Sequence, residues 1–327
     1  MKLDAEMLWL TGGVIALLLV GSLTGWTLSR RLLSEAGRKT VDNLNARMKA
    51  WWVMTAVFAL ALATGGVGSI VLFGFTSFMA LREFVTLTPT RLGDHRTLFW
   101  AFFFVTPMQY VLLYSERYGI FSVFIPVYVF LLLPIRSAVA GDTERFLERA
   151  AKIQWGLMIC VYSLSHAPAL LTMLRIPGYI GENGKLLYYF VLVCELNDVL
   201  QYVFGKLFGK HIISPKVSPN KTWEGLIGGI SATVAIGSGL WWATPFTPLQ
   251  SAGMSLAICL MGFGGGLVMS AIKRDRGVKD WGASIAGHGG VLDRIDSLCF
   301  SAPVFFHLTR YYWMPWSAYL TDLPLSQ

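Results

Sequence analysis

Ala252–Ile272, AGMSLAICLMGFGGGLVMSAI, runs for 21 residues without a charge, and its reading decides the fold. A helix rising about 1.5 Å per residue needs roughly 20 apolar residues to cross about 30 Å of hydrocarbon, so this stretch has the make-up of a membrane span. Comparable runs recur at Met7–Leu28, Trp51–Thr64, Gly66–Leu81, Thr97–Tyr114, Gly119–Ile135, Ile153–Leu174, Leu186–Phe204, Leu226–Ala243 and Ser297–Trp313. With 54% apolar and only 14% charged residues in 327, the chain has too little charge for a soluble surface. An all-α, polytopic integral membrane protein is expected, with ten helices, or nine. Gly65, Gly66 and Gly68 separate the second and third runs so narrowly that a tight hairpin and a single kinked span both fit.

Loop charge orients these spans, because cytoplasmic connections retain Lys and Arg. With ten spans and both termini outside, 22 of the 27 basic residues fall on the cytoplasmic side. Lys2, Arg117, Arg175, Lys185 and Arg310 are left on the other. A bacterial-type inner membrane is the expected location. The net charge of +8 then reflects topology and attraction to membrane lipids with anionic headgroups, so no nucleic-acid partner is implied. The first run lacks a basic leader and a small-residue cleavage site, so it reads as a retained span. Cys160, Cys194, Cys259 and Cys299 sit singly inside apolar runs and read as core thiols, with neither disulfide nor zinc.

Residues 1–175 are mostly apolar and read as scaffold helices. Residues 176–327 alternate spans with polar, glycine-rich loops, the two parts forming one integrated membrane domain. In the scaffold, Arg31–Lys49 suits an amphipathic interfacial helix or a solvated linker. Glu83 reads as a local partner of Arg82, and Arg136–Lys152 as a solvated helix. In the second part, Gly225–Gly229 and Gly262–Gly266 allow helices to approach closely.

Chemistry concentrates in Ser270–Asp296, SAIKRDRGVKDWGASIAGHGGVLDRID, which packs five basic residues, four aspartates and a histidine among glycines. Joining two phosphates requires such an inventory: cations against charge repulsion, carboxylates for a divalent ion, and glycines whose N–H groups approach phosphate oxygens. Upstream, Glu195 and Asp198 share one face of the seventh span with Gln201 and Tyr202, and ionisable residues at such depth usually face a functional cavity. Thr222 is placed to cap the span that follows it, with Glu224 in the first turn.

SAIKR, KDWG, GHGG and LDRID, in this order and spacing, resemble the signature of the phosphatidate cytidylyltransferase, or CDP-diacylglycerol synthase, family. KVSPNKTWEG at Lys216–Gly225 and Asn197–Asp198 with Gly205–Lys206 resemble its other motifs. The likeness is close over Cys194–Phe306. It implies that phosphatidate attacks the α-phosphorus of CTP, releasing pyrophosphate, with Mg²⁺ required. Asp293 is implied as a metal ligand and Asp296 as a metal-linked carboxylate. Lys273, Arg274, Lys279 and Arg294 are implied as phosphate-binding groups, with Asp280 and His288 also at the catalytic centre. Asn197, Asp198, Ser218, Asn220, Lys221, Thr222, Glu224, Gly289 and Gly290 are implied in substrate binding, and a homodimer is left open. The family usually carries a second metal-binding aspartate 27 positions before Asp293. Here that position is Gly266, and Met269 stands where many members have glutamate, so magnesium binding is expected to be weakened. Three other readings stay open: an inactive homologue, a lipid-binding or transport protein, and a CTP-dependent lipid-alcohol kinase.

Overall fold

The computed structural model describes residues 4–31, 35–285 and 289–315. Within them the chain forms α1 Ala5–Arg31, α2 Glu35–Ala63, α3 Gly65–Thr86, α4 Leu92–Tyr114, α5 Tyr118–Val139 and α6 Phe146–Thr172. It continues with α7 Asn183–Phe208, β1 Ile212–Ser214, β2 Ser218–Thr222, α8 Trp223–Gly239, α9 Pro248–Asp275 and α10 Leu292–Trp313. The strands make one antiparallel hairpin in which Ile212 faces Thr222 and Ser214 faces Ser218. α4, α5 and α6 each hold a π-helical stretch, and that of α5 contains Pro126, which has no N–H for the helical ladder.

Eight of these helices are long and apolar enough to cross a membrane, which makes the chain a multi-pass membrane protein, and with α8 and α10 the ten expected helices are all present among the described residues. The two that fall short are α8, with 17 residues, and α10, whose first turns carry Asp293, Arg294 and Asp296. Both pack into the bundle, α8 between α7 and α9 and α10 against α9 and α6, while α8 leaves Trp223, Ile227 and Ile236 exposed. α1 and α2 likewise expose Leu8, Trp9, Val20, Leu23, Val53 and Leu60.

Gly65, at φ +76°, turns the chain between α2 and α3, which pack against each other as the hairpin that the glycines allow. Residues 35–49 continue helically into the second span, so the amphipathic segment is the first part of α2. The solvated reading of Arg136–Lys152 fails at Arg149. Its guanidinium is buried, 3.1 Å from Asp94 and 3.0 Å from Asp142. All four cysteines are buried free thiols.

Close packing sets the geometry of the second part. A Cβ on Gly229 would lie 2.6 Å from the Gln201 backbone nitrogen, and one on Gly225 would lie 2.9 Å from the Gln201 carbonyl, so α7 and α8 touch nearly backbone to backbone. At the far end of α7, buried Lys185 binds Asp4 at 3.0 Å, Glu182 at 2.8 Å and Glu6, which ties the start of α1 to α7.

Candidate active site

Asp198 lies ten residues before the end of α7, about 15 Å along the axis, and Gly266 lies at a similar distance from the end of α9. α10 enters beside them with Asp296 near its start. One residue fixes both acids: the Ser297 hydroxyl donates to Asp198 Oδ2 at 2.8 Å, and the Ser297 N–H donates to Asp296 Oδ1 at 2.8 Å. Asp198 is exposed although protein closes around it, so it faces a cleft.

Lys221 supplies the matching cation from β2. A Cβ on Gly266 would stand 2.8 Å from Lys221 Nζ and 3.9 Å from Asp296 Oδ2, so the bare backbone of Gly266 is the floor on which the ammonium rests. The ammonium also lies 4.7 Å from the centre of the Phe263 ring, a cation–π distance. Burial pulls the Lys221 pKa below its ordinary value, and Asp198 and Asp296 oppose that shift by favouring the charged form. The hairpin that presents Lys221 is closed at its base by Glu224. Its carboxylate accepts the Lys210 and His211 N–H groups at 3.0 and 3.2 Å and pairs with His211 Nδ1 at 2.5 Å. Thr222 Oγ1 accepts the Gly225 N–H at 3.1 Å and caps α8, as its position suggested. Ser218 is half-buried in the hairpin and Asn220 is exposed.

Asp293 belongs to a different arrangement. Its Oδ1 binds Lys273 Nζ at 2.6 Å, and its Oδ2 accepts the N–H groups of Trp281 at 2.8 Å and Gly290 at 3.0 Å. Both oxygens therefore hold the signature loop, and in this state Asp293 is closed by protein partners. Gly289 has φ +83°, and a Cβ there would meet Asp293 Oδ2 at 2.8 Å. The glycine pair thus serves the approach of Asp293, and the Gly290 N–H is already used. His288 lies outside the described residues.

The remaining expected residues fall around this pair of clusters. Arg274 donates to the Val278 carbonyl at 2.8 Å and shapes the turn after α9. Lys279 and Asp280 are exposed on that turn. Arg294 is half-buried, and its Nε is buried without an acceptor. Asn197 is fully buried, accepting from Gln201 Nε2 at 2.8 Å and donating to the Cys259 carbonyl at 3.4 Å. It joins α7 to α9 and has no face open to a substrate.

Glu83 does not serve as a local partner of Arg82. It is buried, and its Oε1 accepts from Ser284 Oγ at 2.7 Å and the Val291 N–H at 2.9 Å, while Oε2 accepts the Leu292 N–H at 2.9 Å. A carboxylate from the scaffold thus caps α10, where free N–H groups favour an anion. Next to it, Phe84 stacks on Trp281 at 5.3 Å between ring centres. A lone acid near the end of an apolar run was the available signal for Glu83. Ser297 carried none beyond its place beside Asp296.

Asp198 and Asp296 fit magnesium as a donor set. The ion prefers oxygen and is commonly held by one or two carboxylates together with substrate phosphates. Each acid keeps one oxygen free of hydrogen bonds among the described residues. No group of three or more His, Cys, Asp or Glu side chains suited to a metal occurs among those residues, so phosphate and water would complete the shell.

Two carboxylates and a half-buried lysine thus meet within a helical membrane bundle. The sequence model of the cytidylyltransferase family matches residues 45–312, and the chain belongs to that family. It is 39% identical over 303 residues to YnbB, an uncharacterised Escherichia coli protein, covering 91% of this chain and 96% of that one. It is 42% identical over 126 residues to a Staphylococcus aureus phosphatidate cytidylyltransferase, covering 38% of this chain and 48% of the relative. A Mycobacterium leprae phosphatidate cytidylyltransferase is 34% identical over 174 residues, covering 52% and 53%. The chain thus aligns with about half the length of the relatives named for that activity.

Proposed function

We propose that this protein transfers the CMP group of CTP to phosphatidate, giving CDP-diacylglycerol and pyrophosphate for phospholipid synthesis, at the cytoplasmic face of the inner membrane. The observation that carries the reading is the meeting of Asp198, Asp296 and Lys221, brought by α7, α10 and the hairpin to one cleft beside the loop held by Asp293 and Lys273. A phosphatidate oxygen attacks the α-phosphorus, the new P–O bond forms, and the bond to pyrophosphate breaks. Such transfers demand positioning and charge stabilisation more than a protein nucleophile.

Asp198 and Asp296 would hold Mg²⁺, which supplies charge neutralisation on the reacting phosphates. Lys221 offsets negative charge on the nucleotide and, before CTP binds, part of the charge of the acid pair. Lys273 acts through Asp293, holding the loop against the cleft. The basic bias of the connections supports cytoplasmic loops, external termini and access to cytoplasmic CTP.

CTP labelled on the α- or γ-phosphate, incubated with the purified protein and phosphatidate in detergent, tests the reading. Label in the lipid phase is expected from α-labelled CTP alone. Lipid labelled from the γ-position would mean phosphoryl transfer and a lipid kinase.

A further inference from the structure

A groove of about 990 Å³ separates α2 from α7 and α10. Asp42, Ala46, Lys49 and Val53 line it from α2, three or four residues apart, as one face of a helix is spaced. Glu195 of α7 and Arg294 of α10 line the other side. Asp42, Lys49, Glu195 and Arg294 are the charged side chains of the groove, and no ion pair joins any two of them among the described residues. Glu195 takes no part in the pairing of Asp198 and Asp296 through Ser297, although it lies within electrostatic reach of Arg294. Such acids are costly in a membrane helix and call for a partner.

Two contacts set the levels of the helices. Phe58 of α2 meets Tyr188 of α7 at 6.0 Å between ring centres, and Ser297 of α10 bonds Asp198 of α7. Counted from these at about 1.5 Å per residue, Lys49 lies about 3 Å along the axis from the level of Glu195, and Asp42 about 4.5 Å from that of Arg294. Each charge on α2 therefore faces an opposite charge across the groove. α2 itself packs on α1 and α3, and the Gly65 turn follows its last residues.

We infer that α2 is a hinged wall that closes over this groove, pivoting near Phe58 and drawing Lys49 onto Glu195 and Asp42 onto Arg294. The closed wall joins the four residues into one chain of alternating charge, which apolar surroundings strengthen. Ser284 and Val291 also line the groove, so closure excludes water from one side of the signature segment. The inference rests on the groove and stands apart from the proposed reaction.

Disulfide cross-linking of the full chain in detergent tests it, with Ala46→Cys and Ile295→Cys reporting closure across the groove. Gly21→Cys with Met48→Cys, where α1 already touches α2, serves as the control. The groove pair is expected to cross-link. Lys49→Glu should slow it at least fivefold without slowing the control pair, and Glu195→Lys added to Lys49→Glu should restore it. Four results overturn the hinged wall: no cross-link across the groove while the control pair forms, a wild-type rate in Lys49→Glu, loss at both pairs, or failure of the swapped charges to restore the rate.

Discussion

At the residue scale, Asp293 and Asp296 stand three positions apart but have different surroundings. Asp293 is saturated by Lys273 and two backbone N–H groups, whereas Asp296 keeps an oxygen toward Gly266 and the cleft. Asp293→Asn should therefore cost stability as well as activity, about 3–5 kcal/mol for breaking a buried pair, read as a lower unfolding midpoint. Asp296→Asn should leave that midpoint nearly unchanged while lowering CMP transfer at least a hundredfold, about 2.7 kcal/mol in transition-state terms. Equal destabilisation of the two variants would contradict the division. Gly266 gives a second test. Aspartate there would meet the flexible end of Lys221, which can move aside, and would add a third carboxylate to the pair. Gly266→Asp is expected to fold and to lower the Mg²⁺ concentration for half-maximal activity at least tenfold, with Gly266→Ala giving no such gain. A folded Gly266→Asp with an unchanged Mg²⁺ requirement would contradict a metal-binding role for this position.

At the element scale, the Glu83 clamp makes α3 part of the active-site architecture. Glu83→Ala leaves the Val291 and Leu292 N–H groups and the Ser284 hydroxyl without their acceptor, a loss of about 2–4 kcal/mol. Hydrogen exchange should accelerate in residues 281–292 well before it changes in α7. Uniform acceleration across both would mean that Glu83 serves general stability only. The spans themselves were legible because uncharged runs of membrane length admit few alternatives, and Thr222 was legible as a cap from its place before an apolar run. Glu83 and Ser297 were not, since each works through a partner distant in sequence or on another helix. Asn197 misled for the converse reason: it sits beside Asp198, but a 100° step around the helix turns it into the α7–α9 contact.

For the whole molecule, the acidic pair, the hairpin and the signature loop lie at one end of the bundle, and the Lys185 cluster lies at the other end of α7. The basic connections predict that the first end faces the cytoplasm. A membrane-impermeant thiol reagent on intact cells should label Ile180→Cys, an exposed position beyond α6, and miss Gly277→Cys after α9. External labelling of Gly277→Cys would remove access to cytoplasmic CTP. The measurement that bears most directly on function is the initial rate of CDP-diacylglycerol formation from CTP and phosphatidate by the purified chain across a Mg²⁺ titration. The protein should form the liponucleotide with a saturable Mg²⁺ dependence, and Asp198→Asn and Asp296→Asn should abolish it while remaining folded. No CDP-diacylglycerol from folded wild-type protein at any Mg²⁺ concentration, or equal rates in wild type and both variants, would contradict the account.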